Sequence, residues 1–191
     1  YTDSNYIGKL ALGAIELYNA TKNNKYLQLA IQYGKKTEPD FWWSWGDFNA
    51  LVFYRLNFID SSFKDLLKKN LELFEKNSNE NLFNEPTIYS WGTTTTFLGV
   101  GIQAILYKKL TNHQRFDKLA IFSRDFVLGK NPWGISFITG IGNNFPRKIH
   151  HQIAYFNKGY IPGALIGGPS PKLLFEGRNI EENLNFRKFD Y

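Results

Sequence analysis

From Ile7 to Val127 the apolar residues recur at the three- and four-residue spacing of helices that bury one face, in six runs separated by short polar turns. Ile7, Leu10, Ala11, Ala14, Ile15 and Tyr18 form the first run, behind Asp3 and Ser4, either of which carries an oxygen suited to cap a helix start. After the turn Thr21-Lys22-Asn23-Asn24 comes a second run, Tyr26, Leu29, Ala30 and Tyr33, which must stop near Pro39 because proline lacks an amide donor. The aromatic cluster Phe41-Trp42-Trp43-Ser44-Trp45 introduces a third, with Phe48, Leu51, Val52 and Leu56. A fourth begins near Ser61 or Ser62 and carries Phe63, Leu66, Leu67, Leu71 and Phe74. The Asn- and Glu-rich stretch 77–86 reads as a surface loop leading to Tyr89-Ser90-Trp91-Gly92. Thr93 to Thr96 then precede the fifth run, Phe97, Leu98, Gly101, Ile102 and Ile105. The sixth holds Phe116, Leu119, Ala120, Ser123, Phe126 and Val127. The pattern predicts an all-α protein of three antiparallel hairpins at about residues 3–130.

The first and third hairpins repeat one another. Leu17-Tyr18, Thr21, Lys25-Tyr26 and Leu29-Ala30 match Leu106-Tyr107, Thr111, Arg115-Phe116 and Leu119-Ala120, with one residue of slippage. Hairpins of this kind cannot bury an apolar stripe alone and must stack side by side, as in a toroid or solenoid. Stacking with like ends together brings the aromatic segments before the third and fifth helices to one face. Trp45, Trp91 and His150 are therefore expected to open onto one concavity.

Beyond Leu128 the periodicity stops, and the chain becomes a long irregular region dense in Gly, Pro, Asn and aromatics. Gly129 has the place of a residue just past a helix C-terminus, and Pro132 forbids the helix from resuming. Irregular segments this long inside a compact domain are commonly functional, and the apolar content here argues for an ordered fold. Gly140-Ile141-Gly142 lacks the third glycine of a dinucleotide fingerprint and follows no parallel-strand pattern, so it reads as a tight loop.

Composition narrows the chemistry. The chain has 191 residues, 43% hydrophobic and 17% aromatic, enough for one domain with a sizeable core. Its net charge of +6 is spread among acids without a basic run, which does not point to nucleic acid. Cysteine is absent, excluding disulfides and thiolate metal sites, and no apolar run reaches the length of a membrane span. His113, His150 and His151 are the only histidines. Adjacent residues on irregular chain diverge, so the His150-His151 pair reads as hydrogen-bonding or structural and not as a metal centre. Trp42, Trp43, Trp45, Trp91 and Trp133 cluster where helices begin or end. Aromatic faces in such places stack on the C–H faces of sugar rings, though each ring also has a plain core reading. Glu38, Asp40, Asp47, Glu85, Asp125, Glu176, Glu181, Glu182 and Asp190 show no motif-like pairing, and most read as solvated.

Ser136, Ile138, Thr139, Gly142, Asn144, Ile149 and His150 fall in order on the first signature of glycoside hydrolase family 9, with Leu128-Gly129-x-Asn131-Pro132 just upstream. Gly167-Gly168-Pro169 is similar to a run that family carries downstream. Weaker likeness covers nearly the whole chain, at Glu16 to Thr21, Ser44-Trp45 and Tyr89-x-Trp91-Gly92. The chain most resembles the bacterial branch with an immunoglobulin-like domain ahead of the barrel. The resemblance implies part of an (α/α)6 toroid, namely residues 1–191 as the C-terminal portion of the catalytic domain, with an active-site loop region at 128–191. It also implies a β-glucan or related oligosaccharide as ligand, inverting hydrolysis of β-1,4-glycosidic bonds by the parent enzyme, no cofactor, no metal, and a secreted or cell-surface location.

By the same resemblance His150 binds the sugar next to the scissile bond. Trp45 and Trp91, with Trp43 beside them, serve as sugar platforms, and His151 and Gln152 complete the binding set. Gln152 stands where the signature has Arg, removing a fixed cationic donor, and Ser170 stands where Asn is common. Inverting hydrolysis needs an acid and a base about 6.5 to 9.5 Å apart. The family's base lies in an Asp-Ala-Gly-Asp run that this sequence does not contain. Its acid Glu follows an aromatic-rich segment like Asn185 to Tyr191, so it is expected just after Tyr191. No catalytic residue is assigned within the chain. The expected partner is the missing N-terminal half of the barrel, or a second copy covering the same edges. Two other readings stay open, a non-catalytic carbohydrate-binding descendant and a helical-repeat scaffold that binds protein.

Overall fold

The structure, a computed structural model, describes residues 3, 5–39, 46–149 and 151–171. Six main helices are present: α1 (Ile7–Thr21), α2 (Asn24–Gly34), α3 (Asn49–Leu56), α4 (Phe63–Asn79), α5 (Thr93–Thr111) and α6 (Asp117–Val127). A short α7 (Gln152–Phe156) follows inside the C-terminal loops. Among the described residues there is no strand; Ile138 and Leu165 form an isolated antiparallel bridge. Helices pair as α1 with α2, α3 with α4 and α5 with α6, while α1, α3 and α5 pack in a row that the other three flank.

That arrangement follows from which faces are apolar. One core runs through all three hairpins, from Ala11 and Ile15 through Val52, Phe53 and Leu56 to Phe63, Leu67, Leu71, Phe74, Val100 and Phe116. Helix α5 is buried on every side but one, and Gly101 lets α6 approach: a Cβ there would lie 3.4 Å from the Ala120 Cα. A buried amide pair, Asn70 Nδ2 donating to Gln103 Oε1 at 2.8 Å, fixes the register of α4 against α5. Two stripes stay outside the core. Leu10 and Leu17 on α1 are 44% and 47% exposed, and Ile102 and Ile105 on α5 are 45% and 49% exposed. These are the outward faces of the first and last hairpins.

The repeat is reproduced at the turn in the register that pairs Thr21 with Thr111, and only the Leu17-Tyr18 pairing of the sequence match shifts. The Thr21 hydroxyl donates to Leu17 O at 2.7 Å and the Thr111 hydroxyl to Tyr107 O at 2.9 Å. The next residues, Lys22 and Asn112, both have φ of 56°, and their amides return to Tyr18 O and Lys108 O at 2.8 Å. Leu17 therefore corresponds to Tyr107 and Tyr18 to Lys108, without slippage. Like side chains had suggested the shifted pairing, whereas the turn is set by hydroxyls and amides reaching back one helical turn.

Three boundaries differ from the sequence reading. Asp3 does not cap α1: Tyr6 holds that position with no side-chain bond, while the Asp3 carboxylate takes the Asn5 amide and the Lys9 ammonium. Both pull its pKa below the usual carboxylate range, the lysine contact most. Helix α2 ends at Gly34, before Pro39 is reached, and the Thr37 hydroxyl donates to Tyr33 O at 2.9 Å. Thr93 to Thr96 lie inside α5 as its first turn. Branched threonines are poor helix formers in general, yet here their hydroxyls find backbone acceptors, Thr95 on Gly92 O at 2.7 Å among them.

Candidate functional site

The first turn of α5, the last of α6 and the region 128–171 converge at one end of the hairpins. Gly129 has φ of 118°, a value suited to glycine, and stops α6 as its position suggests. Asn131, 5% exposed, then builds the next turn alone. Its Nδ2 donates to Phe126 O and Ile135 O, both at 2.7 Å, and its Oδ1 accepts from the Trp133 and Ile135 amides at 3.1 and 3.3 Å. Ser136 N bonds Asn144 O at 2.9 Å, and Phe137 N bonds Val127 O at 2.8 Å. Thr139, fully buried, donates its hydroxyl to Ile161 O and accepts from Ala164 N at 2.9 Å, while its backbone pairs with Ala164 and Gly163. Asn131 of the upstream run and the signature residues Ser136 and Thr139 are thus the framework of the loop.

A second set of bonds straps the glycine-rich run to α5. Thr94 N donates to Gly167 O at 3.1 Å and its hydroxyl to Ile166 O. The Thr93 hydroxyl shares its proton between Pro169 O at 2.7 Å and Ser90 O at 2.9 Å, and the Ser170 hydroxyl reaches Ser90 O at 3.1 Å. Gly168 has φ of 83°, and a Cβ there would sit 2.6 Å from Thr94 Cγ2. Gly168→Ala should therefore cost about 2 kcal/mol, combining left-handed strain with a methyl clash, and should detach the strap from α5. Urea unfolding with Trp fluorescence measures the cost; an unchanged midpoint would mean that the strap contributes nothing.

Beside the strap lies an aromatic surface. Tyr89 packs against Phe97, Phe126 and Trp133, with ring centroids 6.3, 6.2 and 5.8 Å apart, and Phe126 continues to Phe137. Trp91 is 43% and Trp133 46% exposed. The Tyr89 hydroxyl donates to the Glu85 carboxylate, so Glu85 is engaged and not merely solvated. Partial burial, with that hydrogen bond and the carboxylate charge, pushes the phenol well above its ordinary range and keeps it a donor. Nothing in the sequence pattern flagged this pair, although its four-residue separation is visible there. Asp47 accepts from Asn5 Nδ2 at 2.5 Å, and Asp125 from the Arg124 guanidinium at 2.6 and 2.9 Å.

Of the residues singled out from sequence, Trp91, His151 and Gln152 are described; His150, Trp45 and Trp43 lie outside the described residues, and so does the expected concavity joining them to Trp91. His151 and Gln152 are exposed. His151 Nδ1 accepts from Ile153 N at 3.1 Å, which makes this histidine the N-cap of α7. Among the described residues no group of three or more His, Asp or Glu is placed to hold a metal ion, and no helix is long and apolar enough to cross a membrane.

The model of Glycosyl hydrolase family 9 matches residues 1–187. Endoglucanase A of Bacillus pumilus is 25% identical over 197 residues, covering 87% of this chain and 30% of its own length. The xyloglucan-specific endo-beta-1,4-glucanase of Bacteroides ovatus is 26% identical over 192 residues, covering 90% and 32%. Among solved structures, the cellulase Cel9M of C. cellulolyticum in complex with cellobiose superposes with a TM-score of 0.73 at 26% identity, covering 89% of this chain and 44% of that one. The chain spans about a third of the length of the curated relatives it matches. With its hairpin fold, its loop framework and nearly every residue matched, this chain belongs to glycosyl hydrolase family 9.

Proposed function

We propose that the chain is the C-terminal portion of the catalytic domain of an endo-β-1,4-glucanase, and that it supplies sugar-binding residues to a cleft whose catalytic Asp and Glu lie outside it. In this reading the three hairpins at about 3–130 are half of a six-hairpin ring, and residues 128–191 are its active-site loop region. One observation carries this reading: the Gly167-Gly168-Pro169 strap is bonded to the first turn of α5, which holds the signature loop beside exposed Trp91. His150, Trp91, Trp45, Trp43 and Gln152 are the proposed sugar contacts, and His151 belongs to the set through its place in the chain between His150 and Gln152. The cellulase Cel9M was solved with cellobiose, which supports an oligosaccharide as the ligand. An insoluble or cell-wall glucan also fits a secreted or cell-surface location.

The test is calorimetric titration with cellotetraose, a mixed-linkage oligosaccharide and a xyloglucan oligosaccharide. Trp91→Ala is expected to weaken whichever of these binds about tenfold, the scale of losing one large aromatic contact. Binding to none of the three by the intact protein would overturn the reading, and full affinity in Trp91→Ala would remove Trp91 from the site.

A further inference from the structure

We infer that His151 is a positioning residue: its Nδ1 caps α7, and the cap fixes the backbone turn from which Gln152 is presented. The inference rests on the sugar-binding role proposed above. His151 has the extended backbone of an N-cap, φ −155° and ψ 143°, and its ring nitrogen takes the Ile153 amide at 3.1 Å. Since Nδ1 is the acceptor there, the ring proton sits on Nε2, and only that edge is left for anything else.

The protein uses the same device elsewhere. At the α5–α6 turn His113 Nδ1 accepts from Arg115 N at 3.2 Å, and at the corresponding α1–α2 turn Asn23 Oδ1 accepts from Lys25 N at 3.0 Å. In the register fixed by the Thr21 and Thr111 bonds, Asn23 and His113 occupy equivalent positions. This fold therefore accepts an imidazole nitrogen and an amide oxygen as alternatives in the same bond to the amide two residues on, at the cap of α2 and in the turn ahead of α6, which identifies asparagine as the substitution that keeps the bond and discards the ring.

The cap matters more at α7 than at α2. Five residues are too few to sustain a helix from propensity. Ala154 alone is buried, against Ile149 and Ile166, whereas Ile153, Tyr155 and Phe156 are 64%, 73% and 86% exposed. The feet of the excursion are held by Ile149 N on Gly159 O at 2.9 Å and Gly159 N on Ala154 O at 2.6 Å. Between those feet the His151 bond is the side-chain contact that sets the start of the helix. Gln152, its first residue, has its direction set by that start.

Amide hydrogen exchange read by mass spectrometry, paired with cellotetraose affinity, decides the matter in the intact protein. His151→Ala should speed exchange of peptides covering 152–159 about five-fold, the usual scale of a lost cap, and should weaken the sugar by a similar factor. His151→Asn should restore both. His113→Ala should speed exchange only around residue 115 and leave the sugar unaffected. Unchanged exchange in His151→Ala would overturn the inference. So would an Asn variant that restores exchange but not affinity, since the ring itself would then be the ligand contact. If the unsubstituted protein bound no glucan the proposed function would fail, while the exchange comparison would still decide the cap.

Discussion

Incubated with soluble cello-oligosaccharides or barley β-glucan, the isolated 191-residue polypeptide is expected to release no reducing ends above the buffer blank. A positioned general acid and a positioned base each typically supply ~10²- to 10⁴-fold, and the proposed assignment puts both outside these residues. The described acids nearest the strap and aromatic surface in sequence are already engaged, Glu85 by the Tyr89 hydroxyl and Asp125 by the Arg124 guanidinium. Glu181 and Glu182 are the controls to build, as Glu181→Gln and Glu182→Gln. Turnover by the chain that disappears in either variant would place the acid within it and refute the assignment. The same preparation should associate with itself or with added N-terminal hairpins, because Leu10, Leu17, Ile102 and Ile105 form exposed stripes on its outer hairpins. Sedimentation velocity reads that out directly.

Asn131→Asp should be the most damaging single-atom change near the site. The substitution keeps an oxygen for the Trp133 and Ile135 amides but replaces a donor that serves Phe126 O and Ile135 O, both at 2.7 Å. Two carbonyls then face a carboxylate oxygen in a place that is 5% exposed to solvent. Leaving buried acceptors unpaired costs about 1–3 kcal/mol each, so a loss of roughly 3 kcal/mol or more is expected. In a domain of this size that lowers Tm by about 10 °C. Near-UV circular dichroism should lose its aromatic signal with it, since the Trp133 amide is one of the groups that Asn131 holds and its ring packs on Tyr89 and Phe137. A melting point within about 2 °C of the unsubstituted chain would contradict this account.

How much of this was legible beforehand differs by level. The six main helices, their pairing and the stop at Gly129 follow from periodicity and from glycine and proline placement, because burial of one face is written directly into the sequence. Helix limits were less visible. Thr93 to Thr96 look like a non-helical prelude by propensity, and only the carbonyls of Gly92, Ile166 and Pro169, partly distant in sequence, reveal why a threonine run is stable as a first turn. The short α7 carries no periodic run and depends on its cap and on Ala154. In the loops, the signature motif marked the segment that is bonded to the glycine-rich run, but not the roles within it. Asn131, Ser136 and Thr139 hold the loop through backbone partners that no pattern of side chains announces. His151 looked like a ligand contact by its neighbour, and its Nδ1 is committed to the backbone.

The two matched turns also bear on how such a ring grows. From Thr21 to Tyr26, and again from Thr111 to Phe116, the chain reverses using a hydroxyl, a left-handed residue and a capping side chain that lie within the turn or one helical turn behind it. Such a reversal travels intact with any duplicated or transplanted segment. Copying a hairpin therefore creates no new folding problem at its tip, and selection has only to refit the flanks where neighbouring copies meet. Grafting Thr21 to Tyr26 in place of Thr111 to Phe116 is the direct demonstration, with Arg115 retained because its guanidinium pairs with Glu72 and Glu75 on α4 at 2.7 and 2.9 Å.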